Sequence, residues 1–93
     1  MTVGVFTVEL HLPGARSLKD KRQVLRSYKD RVLNKMNVSV AEVDHQDVWK
    51  SAVLAVVTVA AHKDVVEKRM ADVSDFIRSN PEIVLIDYSV EML

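Results

Sequence analysis

Between Arg16 and Lys35 the chain carries eight basic side chains: Arg16, Lys19, Lys21, Arg22, Arg26, Lys29, Arg31 and Lys35. Asp20 and Asp30 alone oppose them, which leaves this segment at +6 and the rest of the chain at −6 under a formal net charge of zero. On a helix, Lys19, Arg22, Arg26 and Lys29 fall at i, i+3, i+7 and i+10 and form one stripe. Such a stripe suits phosphate backbones, whose affinity comes largely from counterion release. Arg16, Lys19, Lys21 and Arg22 crowd the first helical turn, where the helix dipole disfavours cations. Positive side chains beside the free N–H groups around Ser17 would make an anion site. The competing reading is a solvated face paired with the acidic segment Asp64, Glu67, Asp72 and Asp75. Surface pairs of that kind contribute only about 0–1 kcal/mol each.

Other residues offer less chemistry. The stretch EVDHQDVW gathers Glu42, Asp44, His45, Asp47 and Trp49. Histidine with carboxylates can hold a divalent metal, but no ligand spacing is present, and His45 points away from Asp44 on a strand. Neither a metal nor a cofactor is expected. His11, His45 and His62 fall in different elements, no serine stands in a nucleophile elbow, and no GxxxxGK[ST] or GxGxxG occurs. Ser17 is explained by helix capping. The chain therefore reads as a binding module and not an enzyme. Trp49, the one tryptophan, fits best as an anchor between two copies.

These groups must be carried by six elements. Val3 to Leu12 is β-branched and alternating, a strand that Pro13-Gly14 stops. Ser17, with Asp20 three residues on, opens a helix whose core stripe is Leu18, Leu25, Tyr28, Val32 and Met36. Val38 to His45 is a strand bearing Glu42 and Asp44. Ser51 to Ala61 holds no charge and reads as a strand covered on both sides. His62 to Asn80 is a second helix, lined by Val66, Met70, Val73 and Ile77, and ended by Pro81. Ile83 to Met92 alternates as a last strand.

The order βαββαβ over residues 1–93 predicts one α+β domain of ferredoxin-like fold: a four-stranded antiparallel sheet with two helices on one face. Right-handed crossovers put the two uninterrupted apolar strands in the middle and those carrying Glu42, Asp44, Asp87 and Glu91 at the edges, where charge discourages stray pairing. No element remains for the other sheet face. Val3, Val5 and Val57 would lie on it, and an apolar patch of that size marks an interface, most simply a homodimer. Base stacking on the sheet is disfavoured, because the central strands offer no free aromatic.

Composition narrows the class further. Ninety-three residues, 48% hydrophobic, with two glycines, two prolines and no cysteine, exclude a disulfide scaffold and a cysteine nucleophile. No apolar run reaches a membrane span and no signal peptide pattern opens the chain. A cytoplasmic protein is expected.

The segments VGVFTVELHLPGARSLKDKRQVLRS and NVSVAEVDHQDVW resemble the YlxP-like family of small bacterial proteins of unknown function. The resemblance covers essentially the whole chain. Its most distinctive motif maps onto Ser17, Leu18, Lys19, Lys21 and Arg22, and a second part onto Val40, Glu42, Val43 and the turn from Asp44 to Trp49. It implies a ferredoxin-like fold and no known reaction or cofactor. Members are frequently encoded near translation and ribosome-maturation factors, which tilts the expectation toward RNA or a ribosomal component. The leading expectation is thus a non-enzymatic RNA- or ribosome-associated module using Arg16, Ser17, Lys19, Lys21, Arg22, Arg26 and Lys29. The alternatives are a small-ligand-sensing dimer like the ACT domains, whose ligand would sit near Pro13-Gly14, and a dimeric protein-interaction module.

Overall fold

A computed structural model describes all residues from Met1 to Leu93. The β-branched opening segment forms β1 (Thr2–His11), and Ser17 starts α1 (Leu18–Lys35). There follow β2 (Ser39–Asp44), β3 (Ser51–Ala60), α2 (Lys63–Arg78) and β4 (Val84–Met92). The strands lie in the order β2-β3-β1-β4, and every neighbouring pair is antiparallel. This is the expected ferredoxin-like α+β fold, with the two most apolar strands central.

Alternation on the central strands decides which face the helices cover. Phe6, Val8 and Leu10 of β1 and Ala52, Leu54 and Val56 of β3 are buried. They pack in one cluster with Leu25, Tyr28 and Val32 of α1 and Val66, Met70, Val73 and Ile77 of α2. Gly4 lies where α2 crosses β1, and any side chain there would run into Val66 and Met70. The Tyr28 hydroxyl donates to the Val73 carbonyl at 3.2 Å and ties the helices together. Burial pushes the Tyr28 phenol pKa well above its ordinary value of 10.0.

Three details differ from the sequence reading. β3 is buried on its helix side only; Val57 and Val59 on the other side are exposed. An uncharged strand marks a central position here, and not two covered faces. On β4 the register slips between Glu9 and Leu10, so that Asp87 faces Glu9 while Leu85 faces Leu10. Ile86 is the extra residue of that bulge. On β2 the same happens between Glu42, opposite Leu54, and Asp44, opposite Val53, with Val43 left over.

Candidate functional site

The start of α1 is closed by its own side chains. Ser17 is extended, and its Oγ accepts the Asp20 N–H at 3.1 Å. Asp20 Oδ2 in turn accepts the Arg16 N–H at 3.0 Å. Ser17 thus acts as a cap for one of the first helical amides, and the Asp20 carboxylate is held beside it.

Lys21 requires the larger correction. Expected on the surface stripe, it is 1% exposed. Its ammonium donates to the His45 carbonyl at 2.6 Å and to the Val48 carbonyl at 2.9 Å. It also lies 2.7 Å from Glu42 Oε2. That oxygen is itself buried and receives no well-directed hydrogen bond, so the contact is an ion pair and not a hydrogen bond in the directional sense. The cause is spacing: Lys21 stands three residues after Leu18 and four before Leu25, on the core stripe. The bulge at Val43 supplies the partner. It keeps Glu42 on the face of Leu54, toward the helices, while Asp44 turns away with Val53. Lys21 thus serves the fold, by clamping the turn between β2 and β3.

The other seven cations of the segment behave differently. Arg16, Lys19, Arg22, Arg26, Lys29, Arg31 and Lys35 are all exposed, and none forms an ion pair. Apart from Lys21–Glu42, the pairs are Lys63–Glu67 at 3.7 Å and Lys68–Asp72 at 3.2 Å. Both lie within α2. The acidic second helix forms its ion pairs within itself and none with α1, although Asp72 and Asp75 share a hollow with Lys35. Arg22, Arg26 and Lys29 line a groove of ≈ 440 Å³ between α1 and the edge strand β2, floored by Leu25, Val40 and Leu54. Asp30 and Glu42 are its two acids, and Glu42 is already held by Lys21.

At the head of this groove stands the turn that Lys21 clamps. His45 adopts a left-handed backbone with φ 61°, unusual for a residue other than glycine. Asp44 Oδ1 accepts the His45 N–H at 2.8 Å, and the His45 ring meets Ser51 Oγ at 2.8 Å. The turn itself uses both residues. Trp49 follows, 51% exposed, and Lys50 Nζ reaches the Pro13 carbonyl at 2.9 Å.

The uncovered sheet face is apolar at one end, where Val3 faces Val59 and Val5 faces Val57. Glu91 stands opposite Val5 at this same end, and farther along the face Glu9 pairs with Asp87. Trp49 stands outside the strands, on the turn that precedes β3. A second hollow of ≈ 550 Å³ lies against Pro13, Gly14 and Ala15, with Asp20, Gln23, Ser27 and Glu82 on its walls.

A model of the family described as "Protein of unknown function (DUF503)" matches residues 3–90. The chain belongs to the DUF503 family. The uncharacterized protein YlxP of Bacillus subtilis (strain 168) is 38% identical over 81 residues, which cover 87% of this chain and 88% of that protein. Neither description names a ligand. In this DUF503 member the Ser17–Arg22 motif and the Glu42–Trp49 segment meet through Lys21. Sequence reading kept the two segments apart. A lysine in step with Leu18 and Leu25 was the signal that one of its cations faces inward.

Proposed function

We propose that this protein is a non-enzymatic cytoplasmic module that binds RNA, within ribosomal assemblies, through the solvent-facing cations of α1. One observation carries the reading: seven cations of one segment are exposed, and no carboxylate pairs with any of them. Fields of one sign over a groove concentrate the opposite charge, and the groove between α1 and β2 gives a chain of phosphates a track. The carboxylates Glu9, Asp87 and Glu91 on the uncovered sheet repel RNA from that side. The test exchanges sites. Arg22→Gln with Arg26→Gln and Lys29→Gln should weaken RNA binding by at least about tenfold. The same three changes at Lys63, Lys68 and Arg78 of α2 should leave it within about twofold. Equal losses from both sets would speak against a site on α1.

A second reading rests on two other features, the hollow beside Pro13-Gly14 and the apolar end of the open sheet face. Together they suit a small-ligand-sensing dimer packed through Val3, Val5 and Val57. Thermal shift against amino acids and nucleotides, with sedimentation to give the number of subunits, distinguishes it from the first.

A further inference from the structure

We infer that Trp49 is a stacking platform for one unpaired base, so that the polyanion held by α1 is single-stranded RNA. The inference rests on the reading just given and adds the form of the nucleic acid.

An indole left half in water forgoes much of the stabilisation that its burial would bring. Yet the backbone that carries Trp49 is held from several elements. Lys21 of α1 bonds the carbonyls of His45 and Val48. The Val48 N–H donates to the His45 carbonyl at 3.0 Å, and the Leu12 N–H to the Lys50 carbonyl at 2.8 Å. Lys50 Nζ fastens the turn to Pro13. His45 pays for the geometry with a left-handed φ. Binding groups gain from being carried on a rigid support, and this turn holds the backbone on both sides of an exposed aromatic residue.

Its neighbourhood tells which partner. The Lys21–Glu42 ion pair joins the turn to the groove of Arg22, Arg26 and Lys29. From Arg22 to Lys29 the helix rises about 10 Å, the reach of roughly two or three nucleotides. Asp47, exposed in the same turn, repels phosphate there. The sugar–phosphate chain therefore lies along α1 and presents a base toward the turn. Proteins that bind single strands combine these two features, a cationic track and an aromatic face. A duplex keeps its bases stacked inside and has none to offer Trp49.

Because Trp49 is the only tryptophan, its fluorescence reports on this contact alone. The probes are end-labelled single-stranded RNA of roughly 12 nucleotides and the duplex of the same length. Label anisotropy measures binding, and indole emission measures stacking. The single strand should quench Trp49 while the duplex, held by phosphates only, should not. Trp49→Ala should weaken single-strand binding about 5- to 150-fold and leave duplex binding unchanged, and Trp49→Phe should restore most of the loss. Single-strand binding without quenching, and unaltered in Trp49→Ala, would overturn the platform and leave the α1 reading standing. Absence of binding to either probe would overturn both. Emission that changes with protein concentration alone, without RNA, would assign Trp49 to a contact between copies and refute the inference.

Discussion

Lys21 shows how one side chain can leave a charge pattern and join a core. Its ammonium is buried against two carbonyls and Glu42. Removing it would strand a carboxylate, a change that costs about 3–5 kcal/mol. Chemical denaturation of Lys21→Ala should show a loss of that order. Lys21→Met combined with Glu42→Gln should recover much of it, since no bare charge remains. Charge reversal at Lys21 therefore tests the fold, and RNA contact is tested at Arg22, Arg26 and Lys29. Tyr28 gives a prediction in pH. Its phenol stays neutral in the folded chain where an unfolded tyrosine ionises, near pH 10. The unfolded state alone releases that proton, so stability is level below about pH 10 and falls above it. Tyr28→Phe should lose about 0.5–1.5 kcal/mol at neutral pH with its hydrogen bond, and should show a shallower alkaline decline than the parent in denaturation at pH 9 to 11. The partners of both side chains come from elements distant in sequence, 21 residues away for Lys21 and 45 for Tyr28. Periodicity could place each on the core stripe of α1 and could not name what it touches.

At the scale of elements, hydrophobic period was enough to order the chain. Val66, Met70, Val73 and Ile77 are the buried residues of α2 as the spacing requires, and the most apolar strands are the central ones. The bulges at Val43 and Ile86 could not be read, because a bulge depends on the register with a partner strand. One of them aims Glu42 at Lys21 and so builds the clamped turn. Gly4 was also silent in the sequence, although the fit of α2 on β1 depends on it. Gly4→Ala should lower stability by about 1–3 kcal/mol, the usual cost of overfilling a packed contact. A lower thermal midpoint with an unchanged far-ultraviolet spectrum would be the signature. The same change at Gly14, where a side chain meets open space, should shift the midpoint far less.

Over the whole molecule, charge is sorted by face. Seven unpaired cations lie along the α1 segment, α2 consumes part of its own charge internally, and Glu9, Asp87 and Glu91 stand on the open side of the sheet. The asymmetry between segments was legible in the sequence; that no carboxylate of α2 forms an ion pair with α1 depended on how the helices pack. No helix is long and apolar enough to cross a membrane. The dependence of single-strand RNA affinity on salt reads this arrangement most directly. Three groove cations on phosphates give a slope of log K against log[salt] near −2, and all seven give about −5. The account requires a slope between those values, flattening by about 2 when Arg22, Arg26 and Lys29 become glutamine. A slope near zero, or one that the triple substitution leaves unchanged, would contradict it.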